Sequence, residues 1–266
     1  MGELVNDNET VWSHSRIACF CQCKYEFYLK YILKDKLLYP PIDNYYAEVG
    51  VFVHDILAQI FQGKLTTEEA LAYYSKNYDD SIKNPTKDSI MFNNFMKIAD
   101  YFADLDLTNL KNYDIIGVEL EERFKVGNNN FVGYIDLLLR DKADGKLILI
   151  DHKSSAYPFT KKGTVKKAEI NHFETYKRQM YLYSHAIYQQ FGEFPKEIVW
   201  NHFKDGGQLA VIPFKKEEYD EIIAWFEKTI EEITAEEAFE EHEDFFYCHN
   251  LCNFRRCCEY KNMKGE

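Results

Sequence analysis

The chain has 266 residues, 46% of them hydrophobic and 16% aromatic, which is ample for a sizeable core in one large domain or two small ones. A formal net charge of −12 argues against a protein that coats nucleic acid non-specifically. No apolar run reaches the roughly 20 residues that span a bilayer, and the polar, acidic Met1–Thr10 stretch is not a secretory signal, so a soluble, cytoplasmic protein is expected.

In chain order, Ser13 or Ser15 can cap a helix running to about residue 34, with Ile17, Phe20, Tyr28 and Tyr31 on its apolar face, and Pro40-Pro41 falls in the loop behind it. Val53, Ile56, Leu57 and Ile60 recur at helical spacing over 49–61. Thr66-Thr67-Glu68-Glu69 opens a third helix, and 87–105 carries a fourth. The period then changes, and 113–126, 130–140 and 146–153 read as three strands joined by Gly127–Asn130 and Asp141–Lys146 turns. A long helix over 171–191, strands over 197–203 and 208–213, and a helix from 216 to about 234 follow. The acidic run 236–244 leads into a cysteine-rich tail. With no repeat and no low-complexity linker, one α/β domain with an α-helical insertion is expected.

The second and third strands carry charge into apolar surroundings. Phe131-Val132-Gly133-Tyr134-Ile135-Asp136 and Lys146-Leu147-Ile148-Leu149-Ile150-Asp151-His152-Lys153 deliver two carboxylates and a lysine to what reads as one sheet edge. Such charges are costly beside a core unless they bind something. Two carboxylates suit a hard divalent cation, and a neighbouring lysine suits an anionic oxygen beside it; that is the chemistry of phosphodiester hydrolysis. Residues i and i+2 of a strand share a face, so the spacing itself brings Asp151 and Lys153 together. Lys161, Lys162, Lys166 and Lys167, with Lys177 and Arg178 further on, read either as a solvated loop or as a phosphate-gripping track behind the D-x-K strand. Seven cysteines form two clusters, Cys19, Cys21 and Cys23, then Cys248, Cys252, Cys257 and Cys258, a pattern of metal ligands or reduced thiols rather than disulfides.

Gly133-x-x-Asp136, Asp151-x-Lys153 and Gln179-x-x-x-Tyr183, in that order, resemble the PD-(D/E)XK nuclease superfamily. The opening Trp12-Ser13-His14-Ser15-Arg16-Ile17, the run Cys23-Lys24-Tyr25-Glu26-Phe27-Tyr28 and the Gly50-Val51-Phe52-Val53-His54 helix resemble its RecB-type branch, which includes AddB-type, CRISPR-adaptation and phage nucleases. The resemblance implies a restriction-endonuclease-like α/β core, a mixed central sheet flanked by helices, with an N-terminal helical insertion and an iron–sulfur-stapled C-terminal tail. The expected organisation is a single domain over 1–266, divided into an N-terminal helix (1–48), a helical region (49–112), a catalytic sheet core (113–214) and a C-terminal helix with the cysteines (215–266).

By the same comparison, Asp136 and Asp151 are metal ligands, His54 adds a nitrogen, and the backbone carbonyl of His152 adds an oxygen for Mn2+ or Mg2+. The His152 side chain alternates to the opposite face of the strand. Lys153 orients the attacking water or neutralises charge on the phosphate, and Gln179 and Tyr183, one helical turn apart, contact substrate. Glu119 is a better candidate than Glu121 to assist the metal, although both also read as solvated strand residues. Cys23, Cys248, Cys252 and Cys258 match the ligands of a 4Fe–4S cluster. Here Cys248-x3-Cys252 is one residue longer than usual, and Cys257 competes with Cys258 for the last position. Four thiolates suit zinc as well, most simply through Cys248, Cys252, Cys257 and Cys258. A staple closing so long a loop is worth about 4–5 kcal/mol in the chain-entropy picture of covalent cross-links. Cys19 and Cys21 have no assigned role.

The functional expectation is a metal-dependent DNA exonuclease acting on single strands or duplex ends in recombination, repair or phage DNA metabolism. The alternatives are a non-catalytic nucleic-acid-binding accessory subunit and a zinc-bound interaction module. The chain lacks G-x-x-x-x-G-K-[ST], so any unwinding falls to a helicase or recombination partner.

Overall fold

The hydrophobic periods set the element order seen in the computed structural model, which describes residues 10–33, 41, 43–241, 244–256 and 258. In chain order these are β1 (Val11–Trp12), α1 (His14–Gln22), α2 (Lys24–Phe27), a π-helical turn (Tyr28–Leu33), α3 (Tyr45–Phe61), α4 (Thr67–Ser81) and α5 (Asp88–Ala103). Then come β2 (Tyr113–Val126), β3 (Asn129–Asp141), β4 (Leu147–Lys153), α6 (Ile170–Phe191), β5 (Glu197–His202), β6 (Gln208–Pro213), α7 (Lys216–Ala235) and a second π-helical turn (Tyr247–Leu251). Lys34, Pro40, Cys257, nearly all of the N-terminal acidic stretch and residues 242–243 of the acidic run lie outside the described residues.

One expectation is corrected here. The single helix over 13–34 is broken at Cys23, whose backbone is extended at φ −157° and ψ 112°. Ser13 does cap α1, accepting from the Arg16 N–H at 3.2 Å. Cys23 ends α1 by donating its N–H to the Cys19 carbonyl and starts α2 by accepting the Glu26 N–H on its sulfur at 3.4 Å. A thiol acting as a cap has no Gly or Pro to announce it, so the break leaves the apolar period intact.

The chain divides into two compact units, and β2, β3 and α7 contribute residues to both. In the unit formed by 1–44, 123–132 and 220–266, β1 pairs parallel with the start of β3, Val11 opposite Asn130 and Trp12 opposite Phe131. Trp12 is fully buried, and the Arg16 guanidinium lies over it, 5.0 Å from the ring centroid, and over Tyr31 at 4.8 Å. Phe226 of α7 meets Phe131 edge-on. Leu29, Cys252 and Phe254 form a small apolar cluster of their own.

In the unit formed by 45–122 and 133–219, α3, α4 and α5 pack around Val53, Ile56, Leu57, Tyr74, Ile98 and Phe102. Thr66 and Glu69 make a reciprocal capping box that starts α4, as the sequence predicts. The sheet runs β3-β4-β5-β6, antiparallel, parallel and antiparallel, with β2 also on β3. The parallel β4–β5 pair requires a crossover, and α6 supplies it. β3 and β4 are paired from Arg140↔Leu147 to Leu137↔Ile150, and the next residues outward are Asp136 and Asp151. The apolar run thus ends where the carboxylates begin. Among the described residues no helix is long and apolar enough to cross a membrane.

Candidate active site

The two carboxylates at the end of the β3–β4 pair are buried, Asp136 at 9% and Asp151 at 3% exposure, so each must be held by fixed partners. The His152 N–H donates to Asp136 Oδ2 at 2.7 Å. From α3, His54 Nε2 donates to the His152 carbonyl at 2.9 Å, while its Nδ1 lies 3.4 Å from Asp136 Oδ2 and 4.0 Å from Glu119 Oε1. The backbone of His152 therefore ties one carboxylate and one imidazole to a single strand position. Its own imidazole is engaged elsewhere, accepting from Asn201 Nδ2 at 3.0 Å and stacked on Phe61. Burial pushes that ring down to about 4, so it is neutral.

Glu119 reaches His54 through a bend in β2. Its φ is 50°, in the left-handed region that costs a non-glycine residue roughly 1–2 kcal/mol. One ligand atom each from His54, Glu119 and Asp136 lies within 4.8 Å of the others. Asp151 stands outside that set; its Oδ2 is 2.7 Å from Lys153 Nζ. Lys153 also donates to Gln179 Oε1 at 2.9 Å and lies 4.7 Å from the Tyr176 ring centroid, and Gln179 Nε2 donates to the Tyr183 hydroxyl at 3.2 Å. Gly133 completes the packing, because a Cβ there would come within 2.6 Å of Tyr183 Cε1.

The electrostatics follow from burial and charge. Burial pushes the Asp151 carboxyl up, and the Asp136 charge adds to it against Lys153. Burial also acts upward on Asp136, but the hydrogen bond and charge of His54 prevail and hold it below the usual carboxylate range. Burial acts downward on His54 and on Lys153, yet the carboxylates prevail in both cases and raise them. Glu119 is raised, by burial first and then by Asp136. Imidazole nitrogen, carboxylate oxygens and a backbone carbonyl that converge in this way form a donor set for a hard or borderline divalent cation. A cavity of about 550 Å3 lined by Gly50, Val51, His54, Asp55, Ala58 and Glu119 opens onto it. A second cavity, of about 540 Å3, lies against the other side of His152, among Phe61, Leu139, Val199 and Asn201, and holds none of these carboxylates.

His54, Asp136, Asp151, Lys153, Gln179 and Tyr183, which the sequence singles out, thus come together with the His152 backbone. Tyr176 is an addition; its spacing of three from Gln179 places it on the same face of α6, a signal the sequence does contain. The Tyr101–Asn201–His152 network has no sequence signal, since it joins three separate elements.

The cysteines form a separate site. Cys23, Cys248, Cys252 and Cys258 line one small cavity with Tyr25, Glu26, Leu29, Glu241, Tyr247 and Phe254. Burial raises the Cys248 and Cys252 thiols, and the nearby charges of Cys23 and Cys258 raise both further. A four-thiol donor set around one cavity suits a 4Fe–4S cluster or zinc. Glu26, buried beside them, accepts from the Tyr247 hydroxyl at 2.5 Å. Cys19, pushed up to about 12 by burial, and Cys21 do not line the cavity.

The sequence profile of the PD-(D/E)XK nuclease superfamily matches residues 11–259. Among solved structures, a candidate exonuclease from Eubacterium rectale superposes with a TM-score of 0.54 at 14% identity, over 97% of this chain and 89% of that one, a likeness of fold. The protein SSO0001 is 18% identical over 89% of this chain and 96% of that one, with a TM-score of 0.32. No curated protein matches the sequence. With the profile running through nearly all of the chain, and with a mixed, helix-flanked sheet beneath it, this protein belongs to the PD-(D/E)XK nuclease superfamily.

Proposed function

We propose that this protein is a divalent-metal-dependent deoxyribonuclease of the RecB-type branch, an exonuclease that works on single-stranded DNA or duplex ends. The observation that carries the reading is the convergence of His54, Asp136 and Glu119 beside the buried Asp151–Lys153 pair, at the mouth of an open cavity. His54, Asp136, Asp151 and the His152 carbonyl would hold Mn2+ or Mg2+, with Glu119 beside them. When bound, the cation supplies Lewis-acid charge and a water of lowered pKa.

The chain's own residues do the rest. Asp136 stays ionised because His54 and the His152 N–H stabilise its charge. Lys153 stays protonated between Asp151 and Gln179, where its ammonium meets charge developing on a phosphoryl oxygen. Gln179, fixed by Tyr183 and Lys153, presents a polar edge to the strand being cut. The exposed Lys161 and Lys162, with Lys167 behind them, grip the phosphates that follow.

Cys23, Cys248, Cys252 and Cys258 hold a 4Fe–4S cluster in this reading, as a staple rather than a redox catalyst. The whole chain acts as one nuclease domain, in keeping with a family match that enters both compact units. It works in the cytoplasm beside a helicase or recombination partner.

Purified protein with Mn2+ should degrade linear DNA, and Asp151→Ala or Lys153→Ala should each lower the rate by at least about 100-fold. Equal rates for wild type and both variants would sink the catalytic assignment, and DNA binding without metal-dependent cleavage would favour an accessory role. Visible absorbance of protein purified without oxygen, lost in Cys252→Ser, tests the cluster; a colourless protein carrying zinc would replace it.

A further inference from the structure

Along the thirteen residues of β3 only Tyr134 is exposed, at 52%, while its neighbours Gly133, Ile135 and Asp136 are buried. A large aromatic turned to solvent in the middle of a strand adds nothing to the core. Its place along the strand suggests what it adds instead. β2 and β3 are joined by a two-residue turn at 127–128, so Val126 faces Asn129. Counting back from there sets Glu121 opposite Tyr134, and the left-handed Glu119 two residues on turns toward His54 beside Asp136. Two contacts agree with that register. The Tyr134 hydroxyl donates to Glu121 Oε2 at 3.2 Å, and Glu119 and Asp136 both face His54. Residues two apart on a strand share a face and lie about 7 Å apart. Tyr134 and Glu121 are therefore the next rung beyond the metal-ligand rung, on the same side.

The ring is also held. A hydroxyl tied to a carboxylate on the adjacent strand restrains its rotation, so less freedom is lost when something stacks on it. The cavity at the metal-ligand rung has a low, apolar part beside its charged residues: Val51 is 72% exposed, and a Cβ at Gly50 would meet nothing within 4 Å. Among the described residues no lysine or arginine lines that cavity, so a phosphate beside it is held through the metal-ligand rung and not by a basic wall.

We propose that Tyr134 is a base-stacking residue: the nucleobase next to the scissile phosphate lies on its exposed face while the phosphate sits at the metal-ligand rung. Every base has a π-face, so such a contact is indifferent to sequence. The face is available only on an unpaired base, so the contact favours single strands and frayed ends. This rests on the nuclease reading for the position of the phosphate, and it adds the residue that selects the strand.

The test uses the full-length protein and a labelled single-stranded oligonucleotide carrying one abasic site, scanned along the sequence. Cleavage is followed with Mn2+ and binding with Ca2+. Tyr134→Ala should raise KM and Kd on the order of 10-fold with kcat changed less than about 3-fold, and Tyr134→Phe should restore most of the loss. One abasic position should cost wild type the same factor and cost Tyr134→Ala nothing more. The abasic scan on wild type needs no variant, so a poorly folded Tyr134→Ala would not obscure the answer. Full cleavage by Tyr134→Ala, or abasic and alanine losses that simply multiply, overturns the stacking while leaving the nuclease reading in place. The same non-additive loss in binding without any cleavage supports the stacking and removes the nuclease reading. Failure of wild type to bind the oligonucleotide overturns both.

Discussion

His54 holds its proton against burial because Asp136 lies 3.4 Å away, and that proton occupies the place a cation would take. The sign is set by the raised value. In the metal-free protein the His54–Asp136 pair contributes fully below the ordinary histidine range, about 6.5, and its contribution is lost as pH rises through the higher folded value. A cation must displace that proton, and the raised Asp151 carboxyl adds a second competitor. Mn2+ affinity measured calorimetrically should therefore rise by at least about tenfold between about pH 6 and about pH 8, with protons released to the buffer. His54→Ala should flatten the dependence, and equal affinity at both pH values would rule out His54 as a ligand. The candidate ligands were legible in the sequence because each sits in a short local pattern: Asp151-x-Lys153 on a strand, Gly50-x-x-x-His54 on a helix. What was not legible is that Asp151 stands outside the triad while Glu119, already the better glutamate candidate, is turned into it by a left-handed backbone beside His54 and Asp136. That division depends on distances between elements.

Between elements, the most demanding contact is that of β3 with α6. Gly133 lets the strand approach the Tyr183 ring, and Tyr183 is only 7% exposed, with Gln179 bonded to its hydroxyl and Lys153 bonded to Gln179. Gly133→Ala should overpack this contact, cost about 1–3 kcal/mol and lower Tm by roughly 2–4 °C per kcal/mol. Activity should fall with it, since the displaced ring carries Gln179 along. Pairing it with Tyr183→Leu should recover stability without recovering activity. A Gly133→Ala melt superposable on wild type would mean that the strand and helix are not in this contact. The sequence announces both partners as motif residues, Gly133-x-x-Asp136 and Gln179-x-x-x-Tyr183, but not that one glycine exists for the other motif's tyrosine. While α3 begins a turn before the expected residue 49, at Tyr45, the strongly periodic α6 was readable almost to its ends. β1 was not, because two residues carry no period, and neither was the break at Cys23, because it disturbs none.

At the scale of the whole molecule, 44 acidic residues against 32 basic ones repel the polyanion that the site is built to cut. The imbalance extends to the cavity itself. Asp55 and Glu119 line it, and Asp136 and Asp151 lie behind, against His54 and Lys153 among the described residues. A phosphate entering without a cation meets more negative charge than positive, so the metal should be needed for binding as well as for cutting. Ca2+ in place of Mn2+ separates the two requirements, and an oligonucleotide bound in Ca2+ should be released by EDTA before any strand is broken. On the proposed reading, contacts away from the metal come from a few lysines, Lys161 and Lys162 among them, so few counterions should be released on binding. For about three or four neutralised phosphates on a single strand, log K should fall with log salt with a slope of roughly −2 to −3. Reversing Lys161 and Lys162 to Glu should make that slope shallower by about 1.4 and weaken all sequences alike. Tight binding that persists in EDTA with a slope steeper than about −5 would require a broad basic surface. That result would move the protein from metal-guided cutting toward an accessory role on DNA.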